Sequence, residues 1–282
     1  MSSDRNYGTT VRPEVEEAPE FAPPVPALLP GRLSLPTAGR PRNGGRSRAP
    51  ILQPAARKQL RHRMILLRTA GVDRIQELTG ASDAELKGYR HDLLSSDLPD
   101  RLIGRGAGTA FVEELPQGGL LYLLVRALKP ARAVETGVRP GYSTAWILAA
   151  LEANGRGELI SLGPGSAQGR GPGVREVTVG QFVPPSLRAR WTLVLGNTPE
   201  MVERTLTRAP VDLYFYDNGP DVDRARFELR SAWNALTPRG ILLAHHVDAN
   251  SAWEEFCRLQ GLGRQILDGG PPSLGALAMR SA

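Results

Sequence analysis

The stretch from Ala133 to Thr144, Ala-Val-Glu-Thr-Gly-Val-Arg-Pro-Gly-Tyr-Ser-Thr, constrains the chain more than any other. An apolar run ending in Glu135 reads as a buried strand. Gly137 and Gly141 permit a loop with positive φ, and Tyr142 to Thr144 open an apolar helix. Strand, glycine loop and helix in direct succession aim the N–H groups of a helix start at whatever lies over the strand end, which suits the anionic part of a nucleoside cofactor. The spacing then selects among cofactors. A dinucleotide loop requires G-x-G-x-x-G and an acid about 20 residues on, at the tip of the second strand. This loop is G-x-x-x-G, and Glu158 begins the apolar run Leu159-Ile160-Ser161-Leu162, at the wrong end of its strand. The residues therefore argue against NAD.

The rest of the chain continues the alternation. Strands are expected at Ala131–Glu135, Gly157–Leu162, Trp191–Leu195, Val211–Tyr216 and Gly240–His245, with helices near 117–128, 142–153, 199–208, 221–236 and 250–260. Two weaker strands follow near Gln265–Leu267 and Leu274–Met279. The expected fold is α/β: a Rossmann-like, seven-stranded, mostly parallel sheet with helices on both faces and a ligand at the carboxyl ends of the strands. Ahead of it, 51–113 reads as a small helical segment. One helix carries Leu60, Met64 and Leu67 until Gly71 interrupts, and a second starts at the capping box Ser82-Asp83-Ala84-Glu85. This preface is a candidate for covering the site or for forming a homodimer, and the pattern does not choose. Residues 1–50 are rich in Pro, Gly, Glu and Arg without apolar periodicity and are expected to be a disordered tail. The α/β domain is expected over 114–282.

Of the 282 residues 41% are hydrophobic, enough for an ordinary core, and no run approaches the ~18 apolar residues of a membrane span. A cytoplasmic protein with no membrane partner is expected, since Met1-Ser-Ser-Asp-Arg-Asn lacks the apolar core of a signal peptide. Cys257, the only cysteine, rules out an intrachain disulfide and is expected to pack within a helix. The net charge of +6 is carried almost wholly by arginine, as Lys58, Lys87 and Lys129 are the only lysines. Arginine recognises phosphate, but charge sign alone says little about function. The tail's basic part at Arg40, Arg42, Arg46 and Arg48 is the one feature that would suit RNA, and nucleic acid is not the expected partner.

Several motifs in order resemble class I S-adenosylmethionine (SAM) dependent methyltransferases, in particular a bacterial group related to small-molecule O-methyltransferases. Gly119-Leu120-Leu121-Tyr122 with Val125-Arg126 and Lys129-Pro130 resembles the helix before motif I. Glu135-Thr136-Gly137 and Gly141-Tyr142-Ser143-Thr144 resemble motif I itself, and Val211 to Asp217 resembles the fourth strand with its terminal aspartate. Glu228-Leu229 with Pro238-Arg239-Gly240 resembles the helix and turn into strand five. The resemblance covers about 114–282 and implies SAM as cofactor and a small-molecule acceptor, methylated on oxygen or nitrogen. It implies contacts to the methionine end of the cofactor from Glu135, Gly137 and Gly141; Thr136, Ser143, Ser161 and Asp217 join them as candidate contacts from their place in the chain, and Asp217, His246 and His245 are the candidate catalytic residues at the strand tips. Chemically, a nearby carboxylate such as Glu135 suits the ammonium of SAM.

Three departures qualify that picture. Strand two ends in Ser161-Leu162-Gly163-Pro164-Gly165-Ser166, without the acid that would accept both ribose hydroxyls, a loss of roughly 1.5–3 kcal/mol. After strand four the chain reads Tyr216-Asp217-Asn218-Gly219-Pro220-Asp221-Val222, keeping the aspartate and losing a downstream histidine, with Asp221 expected to cap the next helix. Strand five ends in His245-His246 in place of an acidic pair. A neutral imidazole there can take a proton from the acceptor or share a metal with Asp217, although no metal ligand set is assigned. Adjacent strand residues face opposite ways, so one of the two is expected to face the acceptor, His246 ahead of His245. The competing reading is a catalytically decayed protein of the same fold, acting as a binding or scaffolding subunit.

Overall fold

Neighbouring residues along each central strand belong to two different cores. Ala133, Leu213, Phe215, Ile241 and Leu243 pack on one face of the sheet, and Val134, Tyr214, Tyr216, Leu242 and Ala244 on the other. Strands buried on both faces read as nearly continuous apolar runs, which is how the sequence shows them.

The computed structural model describes residues 69–98, 109–164, 178–270 and 273–279. The expected tail and the residues Leu60, Met64 and Leu67 of the first expected helix lie outside these. In chain order the elements are α1 (Thr69–Thr79), α2 (Asp83–Ser95), α3 (Thr109–Leu128), β1 (Arg132–Thr136), α4 (Tyr142–Ala153) and β2 (Glu158–Gly163). A 3-10 turn (Pro185–Arg190) leads into β3 (Trp191–Leu195), α5 (Pro199–Leu206), β4 (Val211–Tyr216) and α6 (Val222–Ala235). The last elements are β5 (Leu236–His245), α7 (Ala252–Leu259), β6 (Ile266–Asp268) and β7 (Leu274–Ala278). The strands form one sheet of seven in the order β3-β2-β1-β4-β5-β7-β6. All pairings are parallel except those of β7, which runs antiparallel to β5 and β6. This is the expected α/β architecture, and the order reverses direction beside β1, so the open crevice for a ligand lies over the carboxyl ends of β1 and β4.

Helices α1 to α4 cover one face and α5 to α7 the other. Cys257 is buried within α7, and Trp253 packs with Phe256 and Trp233 in the second core rather than lining a ligand site. The capping box on α2 is present as read, with Ser82 accepting from the Glu85 N–H and Glu85 accepting from the Ser82 N–H. Among the described residues no helix is long and apolar enough to cross a membrane.

Two expectations are corrected. Gly71 does not end a helix; it lies inside α1, where an added Cβ would stand 3.0 Å from both δ-methyls of Leu120 and 3.1 Å from the Leu267 carbonyl. Its role is close approach of α1 to α3 and to the β6 edge. Helix α3 begins at Thr109 instead of near 117. Arg126 on α3 then ties three helices together, donating to Tyr122 (2.8 Å) and Asn154 (3.0 Å), pairing with Asp92 of α2 (3.2 Å) and stacking on Tyr89.

Glycines test the packing directly. A Cβ on Gly275 would lie 2.4 Å from the Trp253 ring, whereas one on Gly88, in α2, would meet nothing within 4 Å. Gly275→Ala is expected to lower the free energy of unfolding in urea by about 1–3 kcal/mol. Gly88→Ala is expected to raise it by about 0.5–1 kcal/mol through helix propensity.

Candidate active site

A cavity of about 250 Å³ opens over the carboxyl edge of the sheet. One wall is the loop from β1 to α4, contributing Arg139, Pro140, Gly141, Tyr142 and Ser143. The opposite wall is the tips of β4 and β5, contributing Phe215, Asp217, His245 and His246. Gln117, Gly118 and Leu121 of α3, Trp146 of α4 and Leu274 of β7 close the remaining sides. Of the residues singled out from the sequence, Gly141, Ser143, Asp217, His245 and His246 thus come together around one space.

The other candidates lie beneath that space. Glu135 is fully buried, and three hydroxyl groups donate to its carboxylate: Ser143, Thr144 (2.7 Å) and Ser161 (2.7 Å). Burial pushes its carboxyl above the usual range, the hydroxyl donors oppose that rise, and the charge of Asp217 adds to it. Ser161 in turn accepts from the Trp191 indole (3.0 Å), so its hydroxyl is committed to the protein. Thr136, also fully buried, donates to Glu228 (2.6 Å) on the other face of the sheet.

Gly137 and Gly141 have φ of 86° and 91°, as the loop reading requires. What they approach is the protein's own chain. A Cβ at Gly137 would stand 2.0 Å from the Asp217 carbonyl, and one at Gly141 would stand 2.9 Å from Val183 and 3.0 Å from Gly180. The N–H groups of Gly137 and Val138 both donate to the Leu162 carbonyl (2.9 and 3.3 Å). The 180–182 segment covers the loop from outside, with Gly180 and Phe182 N–H groups donating to the Arg139 and Pro140 carbonyls and Phe182 stacked on Tyr142 at 4.5 Å. A ligand over the loop would meet the N–H groups of Ser143 and Thr144 in the first turn of α4, where the cap residue Gly141 supplies no side-chain hydrogen bond.

The histidine pair departs from simple strand alternation. His245 continues the parity of Leu243 and faces the cavity, its Nδ1 3.0 Å from Asp217 Oδ1. His246 would point to the opposite face if the strand continued, but its φ is +55°, a left-handed conformation uncommon outside glycine. That reversal brings its ring back beside His245, centroids 4.2 Å apart, so both imidazoles line the cavity where one was expected. The turn is held by Ala249 N–H to the His246 carbonyl (2.9 Å), Val247 N–H to the Ser273 carbonyl (3.2 Å) and Ser273 N–H to Asp248 (3.1 Å). Burial, then the neighbouring His245, lowers the pKa of His246.

Behind Asp217, the fully buried Glu228 of α6 accepts from Thr136, Tyr214 (2.7 Å), Asn218 (2.5 Å) and Arg224. Arg224 also donates to Asn197 (2.9 Å), which donates to Asn218. Asp221 caps α6 by accepting from the Arg224 N–H (2.9 Å), as its sequence position suggested. Sequence reasoning missed the wall residues Gln117, Gly118, Leu121, Trp146 and Arg139. One signal was available: Gly118, beside Gly119, sits where helix propensity disfavours glycine, and its Cβ would stand 2.2 Å from the Trp146 indole nitrogen.

Glu228→Ala leaves Arg224 without its buried partner and is expected to destabilise the protein by about 3–5 kcal/mol in urea unfolding. Adding Arg224→Ala is expected to cost less than the sum of the single changes, because both act on one network.

Residues 134–247 match the family model described as a methyltransferase domain. No curated protein sequence matches the chain. Among solved structures, the SAH-bound methyltransferase PaMTH1 of Podospora anserina shares 14% identity, covering 66% of this chain and 88% of its own, with a TM-score of 0.46. The O-methyltransferase TomG of Streptomyces achromogenes, solved with SAM, shares 18% over 67% and 91%, with a TM-score of 0.45. An O-methyltransferase of Bacillus cereus in complex with SAH shares 17% over 61% and 70%, with a TM-score of 0.36. Residues 134–247, which run from within β1 to the turn beyond β5, are thus similar to a methyltransferase domain, in agreement with the class I resemblance of the motifs.

Proposed function

We propose that the chain is a SAM-dependent methyltransferase that transfers a methyl group to an oxygen or nitrogen of a small-molecule acceptor. The observation that carries this reading is the pairing of two unlike walls around one cavity: the uncapped start of α4 on one side and Asp217, His245 and His246 on the other. The first suits the carboxylate of an amino-acid moiety. The second suits a group that must lose a proton.

The residues present fit one end of the cofactor. Gly141, Ser143 and Asp217, which line the cavity, would touch its methionine part, while the buried Glu135, Thr136 and Ser161 and the loop residue Gly137 would act from below by holding the loop in shape. The cavity is smaller than the roughly 300–1,000 Å³ of ordinary ligand pockets, so it suits the methionine end and the reacting part of an acceptor. When bound, SAM supplies the methyl electrophile. The chain's own residues then align and exclude: Leu121, Trp146, Phe215 and Leu274 form an apolar wall against water, and the loop and strand tips hold the reactants at contact distance. Such alignment is worth up to ~7–11 kcal/mol of barrier. Asp217 and the imidazoles accept the proton that the acceptor's hydroxyl or amine releases.

A specific observation supports the second reading, a decayed site used for binding. Among the described residues the end of β2 offers the ribose no acidic acceptor, Ser161 is committed to Glu135, and Gly163 is flanked by Val138 and Val179 within 3.0 Å of where its Cβ would be. One experiment separates the readings. Calorimetry is expected to give micromolar binding of SAM and S-adenosylhomocysteine; absence of heat at millimolar cofactor removes both cofactor and enzyme. Given binding, a panel of hydroxylated and aminated acceptors is expected to yield methylated product. His246→Asn, which tolerates the left-handed backbone, is expected to lower turnover about 10²-fold or more with cofactor affinity unchanged. Binding with no methylated product favours the scaffold. Substitution of Gly137 would not discriminate, since it disrupts the loop against Asp217 whatever binds there.

A further inference from the structure

We infer that the acceptor is an anion, a hydroxylated or aminated ring compound bearing one carboxylate, and that Arg139 binds that carboxylate. The inference rests on the methyl-transfer reading above and names the substrate class of the same site.

The charged and imidazole groups on the cavity wall are Arg139, Asp217, His245 and His246. Asp217 is engaged by His245 at 3.0 Å, whereas the Arg139 side chain forms no ion pair and no hydrogen bond among the described residues. An exposed arginine without a partner is ordinary, and its placement sets this one apart. Its backbone is held from outside: the Gly180 N–H donates to its carbonyl (2.8 Å) and the Phe182 N–H to the carbonyl of Pro140 (2.9 Å). From that base on the β1–α4 loop the guanidinium reaches the opposite wall. One of its terminal nitrogens stands 3.6 Å from where a Cβ on Gly219 would be, two residues beyond Asp217. The cation therefore sits on the Asp217 side of the cavity, where the acceptor gives up its proton. It is felt at His246 as well, whose pKa falls through burial, then through His245, with a smaller contribution from Arg139.

The cofactor has no use for this cation. Its carboxylate suits the N–H groups at the start of α4, and its sulfonium is itself positive. With neutral imidazoles, sulfonium and guanidinium set two positive charges against Asp217 alone. One carboxylate on the acceptor restores the balance, whereas a phosphate dianion would overshoot it beside Asp217. The planar guanidinium also matches a carboxylate through two parallel hydrogen bonds. Between the Arg139 end and the imidazoles, Leu121, Trp146, Phe215 and Leu274 offer apolar area and no further charge, which suits a ring.

The test uses the full chain saturated with S-adenosylhomocysteine and titrated by calorimetry with 3- and 4-hydroxybenzoate, the matching hydroxybenzyl alcohols and the matching hydroxybenzylamines. These probes share a ring and a hydroxyl and differ in charge. The benzoates are expected to bind at least tenfold more tightly than the alcohols, with the amines weakest. The guanidinium is exposed, so solvent screening keeps the effect nearer tenfold than hundredfold. Arg139→Gln should abolish the preference, Arg139→Lys should keep part of it, and Arg139→Glu should turn it toward the amines. In each variant the affinity for S-adenosylhomocysteine should stay within threefold of the native value, with far-UV dichroism and urea midpoint reporting the fold. Arg204→Gln, at an exposed position on α5, should change none of these. Equal affinity of the native chain for benzoates and alcohols, or a preference that survives Arg139→Gln in a folded protein, would overturn the proposal. So would a tenfold loss of S-adenosylhomocysteine affinity in Arg139→Gln, which would assign the guanidinium to the cofactor's carboxylate. A native chain that gives no heat with S-adenosylhomocysteine sinks the methyltransferase reading and this one with it; heat with the cofactor and no charge preference sinks this one alone.

Discussion

Two buried carboxylates, one on each face of the sheet, hold the carboxyl edge in place. Glu135 gathers Ser143, Thr144 and Ser161 on the α4 side, and Glu228 gathers Thr136, Tyr214, Asn218 and Arg224 on the α6 side. Each buried acid is tolerable only because its oxygens are saturated with donors. The donors come from β1, β2, β4, α4 and α6, so saturating the acids also fixes where the β1 loop, the Asp217 tip and the start of α4 stand. The cavity is the space left between parts pinned this way, and its geometry depends on polar contacts whose members, Ser143 apart, do not line it.

The fold was legible because its strands are short, apolar and regularly spaced. Val211 to Tyr216 and Ile241 to His245 have no competing reading, and the capping box at Ser82 marks α2 through a local hydrogen-bond pattern that needs no tertiary information. What failed was local inference about glycine. Gly71 looked like a helix breaker because propensity is a local property, while its actual reason, contact with Leu120 and the Leu267 carbonyl, involves residues far along the chain. Gly137 and Gly141 were read correctly as positive-φ positions, but the sequence could not say that the close approach is to Asp217 and Val183.

The site was legible in outline for the same reason. Strand ends can be placed from the pattern, so Asp217 and the histidine pair could be assigned to one edge. Which polar groups are already engaged cannot be read that way. Ser161 sits in register with Glu135 across β1 and β2, and only the folded pairing shows that its hydroxyl is taken. The residues of α3 that close the cavity come from a segment with no chemical signature beyond an out-of-place glycine, and Leu274 arrives through the antiparallel pairing of β7 with His245.

The left-handed residue at the end of β5 carries an evolutionary implication. Glycine at position 246 would relieve the backbone, and asparagine would sit there more comfortably than histidine. Selection for thermal robustness alone would therefore drift away from imidazole at this point. A lineage that retains histidine there is trading ruggedness for whatever the second ring does, and directed-evolution campaigns aimed at heat tolerance would be expected to erase it first.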